Sequence, residues 1–202
     1  MNLLAHLLLA DASPESRLGN VLPDLHRGRL DLTTLDPVVA AGVRRHRRTD
    51  AFTDAHPVFE RSRARLREEF GHFSGVICDV LYDYCLSASW SRWCGDPREA
   101  FIAGALADLR RGACRNALTP RTRLVVDVLT RQDWLTPYGT VDGIHRTLSR
   151  LSARVFERCG RRVRLQDAAA RLRTDGVAWQ RDFDAFFPAL RRYLDPDANG
   201  DG

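Results

Sequence analysis

The sequence predicts an all-α fold, organised as a single-domain helical bundle. Long segments carry apolar residues with helical periodicity, prolines or acid–proline pairs precede several of them, and the alternating patterns typical of strands are scarce. The chain has 202 residues, enough for one domain with a substantial core. From usual helix lengths we expect about seven to nine helices. We predict one domain over residues 1–194 and a flexible tail over residues 195–202.

Capping residues predict where several helices begin and end. An aspartate before a proline can cap a helix whose first residue is that proline, and a lone proline suits the same position. A glycine after an arginine-rich last turn is typical of a helix C-terminus. The predicted starts are Asp36-Pro37, Pro57, Asp96-Pro97 and Pro120, and the predicted ends are Gly112 and Gly160. Residues 11–16 and 28–36 are predicted to be loops.

The composition predicts a basic protein with an anionic partner. The net charge is +5 and the isoelectric point is near 9.3. All 31 basic residues are arginine, which suits bidentate contacts with phosphate or carboxylate, although a codon bias of the source genome would give the same composition. A basic surface attracts nucleic acid, membrane or an acidic protein. Because no basic stripe is interleaved with aromatic residues, we expect no nucleic acid.

The N-terminus and the cysteines predict a cytoplasmic protein. The apolar start MNLLAHLLLA is short and has no basic region before it, since the first arginine is Arg17, so it is unlike a signal peptide. No apolar run reaches the length of a membrane span. The five cysteines form no C-x-x-C pair, which fits a reducing compartment better than a disulfide framework or a zinc site.

The segment VRRHRRTDAFTD places polar groups on one helix face. His46, Asp50 and Asp54 are four residues apart and therefore lie one turn apart along the same face. The neighbouring arginines point to other faces, where they could contact an acidic partner or remain solvated. These arginines are Arg44, Arg45, Arg47 and Arg48.

A second segment, GVICDVLYDYCLSASW, carries two acids on an apolar helix. Asp79 and Asp83 share one face, and two like charges in such surroundings need compensation from arginine or from a cation. Either a buried ion-pair network or a cation site is consistent with this pattern. Two further candidates are His6, in the middle of an apolar helix, and Asp24, which alone could be a core histidine and a helix cap.

Taken together, these residues predict a metal site within the bundle. Imidazole and carboxylate groups suit Mn²⁺, Fe²⁺, Mg²⁺ or Zn²⁺, and an oxygen-rich set favours Mn²⁺ or Mg²⁺. The pair of Glu-x-x-His motifs that di-iron bundles use is absent. Histidine and aspartate with arginines alongside are typical of metal-assisted hydrolysis of phosphate esters.

Five segments resemble the acyl carrier protein phosphodiesterase family, a branch of the HD-type metal-dependent phosphohydrolases. They are MNLLAHLLLA, LGNVLPDLHRG, HRRTDAFTD, DVLYDYCLSASW and DWLTPYGTVDGI, and the similarity extends to about Pro188. The resemblance implies an HD-like bundle that uses Mn²⁺ to hydrolyse holo-acyl carrier protein into apo-carrier and 4′-phosphopantetheine.

The resemblance places six residues at the polar positions of the family: His6, Asp24, His46, Asp50, Asp79 and Asp83. We divide their roles as follows. The predicted metal ligands are His6, Asp24, His46, Asp79 and Asp83; the predicted catalytic residues are Asp24, His46 and Asp50. Substrate binding is predicted for Arg44, Arg45, Arg47, Arg48 and Asn20.

One departure and two alternatives accompany this hypothesis. Members of the family often carry a second histidine where this chain has Leu8, which puts substrate choice or rate in doubt. Within enzymes, the alternative is an HD-like phosphohydrolase acting on a nucleotide or other small phosphoester. Outside enzymes, the alternative is a basic helical module that binds an acidic partner without catalysis. Carboxylates within the predicted site disfavour this last alternative.

Overall fold

The computed structural model describes residues 1–196, and this part of the chain contains nine α-helices. They are α1 (Leu3–Leu8), α2 (Pro14–Leu25), α3 (Pro37–Ala55), α4 (Pro57–Phe70), α5 (Ser74–Ala88), α6 (Arg98–Arg115), α7 (Pro120–Arg131), α8 (Val141–Cys159) and α9 (Ala170–Leu194). No strand occurs within these residues. The all-α prediction is therefore confirmed. The relation to HD-type folds stays a prediction.

Most of the predicted helix boundaries are confirmed by the caps. Asp36 accepts hydrogen bonds from the backbone N–H groups of Val38 and Val39, and so caps α3 before Pro37. Pro57 and Pro120 are the first residues of α4 and α7. Gly160 ends α8 with a φ of 68°, the left-handed conformation that glycine adopts without strain.

Two predicted helix boundaries are wrong, and the predicted loop over residues 11–16 is too long because α2 begins at Pro14. At Asp96-Pro97 the helix starts one residue later, with Pro97 at the cap position and no side chain capping it. Gly112 does not end α6 but lies inside it, against α2. A Cβ atom there would come within 2.6 Å of the carbonyl oxygen of Pro14. This glycine is needed because the two helices approach closely, and not because the chain turns.

A close backbone contact positions α2 against α3. Gly19 of α2 and Gly42 of α3 face each other, and a Cβ atom on Gly19 would lie 2.3 Å from the carbonyl oxygen of Val39. Small residues on both sides let the two backbones touch. As a result, Asn20, the residue after Gly19, comes within hydrogen-bonding distance of His46, which lies one turn beyond Gly42.

Aromatic residues of α5 and α9 fill much of the core. Tyr82 of α5 packs edge-on against Phe59, Trp179 and Phe183. Next to this cluster, the fully buried carboxylate of Asp182 accepts hydrogen bonds from two arginines and a serine of α4: Arg61, Arg65 and Ser62. The buried charge is therefore paired, and it connects α4 to α9.

The structure describes two residues beyond the end of α9, Asp195 and Pro196. The carboxylate of Asp195 accepts two hydrogen bonds from Arg45, at 2.9 and 2.5 Å. The predicted flexible tail starts at this residue, and its remainder, residues 197–202, lies outside the described residues. Within residues 1–196, no helix combines the length and the apolar character that crossing a membrane requires.

Candidate active site

Three helices bring two histidines and an aspartate together. His6 lies on α1, Asp24 near the end of α2, and His46 in the middle of α3. One possible ligand atom from each lies within 4.8 Å of the other two. The structure thus brings together three of the five residues that the sequence predicts as metal ligands.

His46 is held by hydrogen bonds at both ring nitrogens. Its Nδ1–H donates to the carbonyl oxygen of Asn20 at 2.7 Å, so Nε2 is the nitrogen that faces the carboxylates. Nε2 lies 2.9 Å from Asp50 and 3.9 Å from Asp24. Burial lowers the pKa of this histidine, but the hydrogen bond to Asp50 and the charge of Asp24 outweigh burial and raise it above the usual value.

His6 is fully buried and stacked on His46. The two ring centroids are 4.0 Å apart, with 22° between the ring planes. Nε2 of His6 donates to the carbonyl oxygen of Met1, at 3.2 Å, and lies 3.2 Å from Asp50. Burial is the main reason that the pKa of His6 falls to about 4, so the ring is neutral at pH 7. Within residues 1–196, Nδ1 of this ring has no hydrogen-bond partner.

Asp50 connects both histidines to a buried positive charge. Its carboxylate contacts the two rings and also lies 3.5 Å from the α-amino group of Met1. Burial opposes ionisation of Asp50, but hydrogen bonds from His46 and His6 outweigh it and hold its pKa well below the usual range. The same amino group lies 2.9 Å from Asp79. Asp79 is therefore paired with a cation at the edge of the cluster.

Asp24 is the carboxylate of the cluster that opens toward a cavity. About 40% of its side chain is accessible, compared with 4% for His46. The surrounding protein nevertheless removes it in part from bulk water, which raises its pKa to about 6. Of the three clustered residues, Asp24 is thus the one best placed to meet a substrate.

Asp83 is not brought into this cluster. Its two carboxylate oxygens accept hydrogen bonds from the backbone N–H groups of Leu4, at 2.9 Å, and Ala5, at 3.2 Å. Burial raises its pKa to about 7, although these two hydrogen bonds favour the charged form. In the structure, Asp83 caps the start of α1 and thereby fixes the helix that carries His6. Asp54 is exposed at the last turn of α3.

The residues predicted to bind substrate have different surroundings. The side chain of Asn20 is buried; its amide nitrogen donates to the carbonyl oxygen of Ser16, and its Oδ1 has no hydrogen-bond partner within residues 1–196. Arg45 is engaged by Leu9 and Asp195, and Arg48 by the carbonyl oxygen and the ring of Tyr193. Arg44 and Arg47 are exposed. Asn20 and Arg45 thus already donate to groups within the chain, and substrate binding by these residues stays a prediction.

A cavity of about 170 Å³ adjoins Asp24. Its walls come from the starts of α1 and α5, the end of α2, the segment after α7, and one face of α8. The lining residues are Asn2, Leu3, Asp24, Leu25, Val76, Trp134, Tyr138, Thr147, Arg150, Leu151 and Arg154. Sequence reasoning assigned no role to the residues of α8. Their spacing was a usable signal, because Thr147, Arg150, Leu151 and Arg154 fall on one helix face.

The donor set fits a divalent cation. Two imidazoles and a carboxylate are common ligands of Mn²⁺, Fe²⁺ and Zn²⁺, and the bare Nδ1 of His6 is a buried nitrogen open to a ligand. Asp50 and the carbonyl oxygen of Asn20 hold the two rings from outside, as outer partners do at metal sites. His6, Asp24 and His46 are therefore the residues that would hold such an ion.

Fold and site together define an all-α protein with a histidine–carboxylate centre beside a cavity. A family model described as acyl carrier protein phosphodiesterase matches residues 1–190. The chain is 35% identical over 156 residues to the acyl carrier protein phosphodiesterase of Pectobacterium atrosepticum, covering 76% of this chain and 79% of that protein. The protein of the same name from Salmonella dublin is 34% identical over 155 residues, with the same coverage of both chains.

These similarities show that the chain belongs to the acyl carrier protein phosphodiesterase family. The corresponding protein of Escherichia coli O139:H28 is 32% identical over 155 residues, again over 76% of this chain and 79% of the relative. No solved structure matches the chain.

Proposed function

We propose that this protein hydrolyses the phosphodiester that joins 4′-phosphopantetheine to a serine of holo-acyl carrier protein. Water adds to phosphorus, the bond from phosphorus to the serine oxygen breaks, and that oxygen takes a proton. The products are apo-carrier and 4′-phosphopantetheine. The observation that carries this proposal is the His6–Asp24–His46 cluster, which opens into a cavity in a chain of this family.

We further propose that the cluster binds Mn²⁺. A divalent cation at such a site polarises a phosphoryl oxygen and makes water a better nucleophile. The chain supplies the fixed surroundings: Asn20 directs Nε2 of His46 inward, and Asp50 orients both rings. Asp24, the accessible carboxylate, is in reach of a group that enters from the cavity. It is our candidate for accepting a proton from the attacking water.

The carrier would meet the enzyme through its acidic surface. Arg44 and Arg47 are exposed on α3, the helix that also carries His46, so they can attract an acidic protein toward the site. We place the reaction in the cytoplasm, where reducing conditions suit the free cysteines of the chain. Membership of the family favours a carrier protein as substrate over a nucleotide or other small phosphoester.

The test is incubation of holo-carrier with the purified protein, with Mn²⁺ or with a chelator. Mass spectrometry would follow loss of the phosphopantetheine group from the carrier. We expect hydrolysis with Mn²⁺, none with the chelator, and at least a hundredfold lower rate for Asp24→Asn and His46→Ala. Asp127→Asn is the matched control, because Asp127 lies on the surface and pairs with Arg131. An unchanged holo-carrier after incubation with the wild-type protein and Mn²⁺ would contradict the proposal.

A further inference from the structure

One face of α8 presents polar groups to the cavity beside Asp24. Thr147, Arg150 and Arg154 lie along this face and all line the cavity. Arg150 is half-buried, and Arg154 lies at the rim. Two guanidinium groups therefore stand at the wall of a space that Asp24, the carboxylate of the cluster, also lines.

Neither arginine forms a salt bridge within residues 1–196, although the charge of Glu157 acts on Arg154. They lie instead over the ring of Trp134, with the guanidinium carbons 5.8 Å (Arg150) and 4.6 Å (Arg154) from its centroid. Stacking on an aromatic ring fixes the plane of a guanidinium group and leaves its N–H groups free to donate at the edge. Two such groups together form a receptor for an anion with several oxygens, such as a phosphate.

A third donor without a partner faces the same space. The hydroxyl oxygen of Thr147 is buried and has no hydrogen-bond partner in the described chain. A buried hydroxyl without a partner is costly unless a ligand or water satisfies it. Thr147 is one turn of α8 before Arg150, so the three donors converge on one side of the cavity.

Much of the rest of the wall is apolar. Leu25, Val76 and Leu151 line the cavity together with the ring of Trp134. A ligand that fits both parts carries an anionic group close to a compact apolar group. The 4′-phosphopantetheine arm has this sequence of groups, because one methylene joins its phosphate to a carbon that bears two methyl groups.

We propose that this cavity binds the phosphopantetheine arm of the substrate, with Arg150 and Arg154 holding its phosphate. Trp134 and the aliphatic wall contact the dimethyl group, and Thr147 donates to a phosphate oxygen. The inference rests on the proposed function, since it specifies which part of the carrier substrate enters the site. These residues select for a phosphorylated arm, whereas the exposed arginines of α3 meet the carrier itself.

Calorimetry with 4′-phosphopantetheine and with pantetheine, which lacks the phosphate, tests the inference. The full chain is used with Mn²⁺ present throughout. For Arg150→Gln and Arg154→Gln we expect phosphopantetheine to bind about tenfold more weakly, because each variant loses a hydrogen bond to a charged group. Pantetheine binding should change less than about twofold. Arg146→Gln is the control, because Arg146 is exposed on the same helix and does not line the cavity.

Two further variants sharpen the result. Trp134→Leu should weaken both ligands, since it alters the shared wall. Arg154→Lys keeps the charge but loses the planar group, so it should fall between wild type and Arg154→Gln. The inference is overturned if either glutamine variant binds phosphopantetheine as the wild type does, or if it weakens both ligands equally.

Failure of this inference and failure of the proposed function would look different. If wild-type protein releases phosphopantetheine from holo-carrier, but binding is indifferent to Arg150 and Arg154, only the inference fails. If both arginines are needed for phosphopantetheine binding, but holo-carrier is never hydrolysed, only the proposed function fails.

Discussion

Replacement of Gly19 by alanine tests whether the close contact between α2 and α3 creates the site. The added Cβ would lie 2.3 Å from the carbonyl oxygen of Val39 and 2.9 Å from the Cα of Gly42. Both contacts are with backbone, which cannot rotate away as a flexible side chain can. The helices must therefore separate by about 1 Å to regain ordinary van der Waals distances.

The effect on stability is a balance of three contributions. Alanine favours a helix by about 1 kcal/mol relative to glycine. Overpacking costs about 1–3 kcal/mol, and weakening the 2.7 Å hydrogen bond from His46 to the carbonyl oxygen of Asn20 costs about 1 kcal/mol more. We expect a net loss of about 1–3 kcal/mol, and therefore a melting temperature lower by about 2–12 °C for a domain of this size.

The effect on activity should be larger than the effect on stability. Moving α2 by about 1 Å shifts Asp24 away from His46, and a misplacement of that size can reduce a rate by about a hundredfold. Thermal melting and hydrolysis of holo-carrier are measured on the same preparation, below the melting temperature of the variant. Gly104→Ala is the matched control, because Gly104 lies inside α6 and its Cβ would have no neighbour closer than 3.9 Å.

Gly104→Ala should raise stability by up to about 1 kcal/mol and leave activity unchanged. If Gly19→Ala behaves in the same way as this control, close backbone contact is not what holds the two helices and the site together. Loss of activity with an unchanged melting temperature would instead place the effect in the site geometry alone and contradict the predicted overpacking cost.

Three further predictions follow from other contacts. Asp182→Ala should lower stability at pH 7 by about 2–4 kcal/mol in urea unfolding, because it removes the buried carboxylate of the α4–α9 connection and leaves the half-buried Arg65 without its partner. The pKa of Asp182 is lowered because its hydrogen bonds outweigh burial, so its stabilisation holds above the usual aspartate pKa and is lost as pH falls through the lowered value; the variant should lack that acid-dependent loss. Asp83→Ala should remove the cap of α1 and cost about 2 kcal/mol, with faster hydrogen exchange at Leu4 than in Asp127→Asn. Reversal of Arg44 and Arg47 to glutamate should raise KM for holo-carrier at low salt, and the difference from wild type should fade as salt increases; an unchanged KM would show that α3 is not the docking face.

Most helix boundaries could be predicted from the sequence because the signals that set them are local. Asp36-Pro37 and Gly160 cap helices through contacts within a few residues, so the neighbouring residues in the sequence are enough to predict both. The prediction for Gly112 is wrong because a single sequence does not distinguish a glycine that ends a helix from a glycine that lets two helices touch. Only the contact with Pro14, almost a hundred residues away, distinguishes them.

The candidate site could be predicted in part for a similar reason. Spacing placed His46 and Asp50 on one face of a helix, and both contact the same cluster. Spacing equally placed Asp79 and Asp83 on one face, but it could not show that the start of α1 would occupy Asp83. Arg150 and Arg154 gave a readable helical pattern, yet nothing local indicated that their face borders Asp24.

The cap that Asp83 gives to α1 has a consequence for the order in which the protein matures. Six residues make a helix too short to persist alone, since isolated helices need about 12 or more. Asp83 follows Leu4 by 79 residues, so the chain that leaves the ribosome first cannot position His6 until α5 has been synthesised and folded. A growing chain therefore contains His6, Asp24 and His46 before they are brought together as a cluster. An incomplete chain should therefore not hydrolyse holo-carrier.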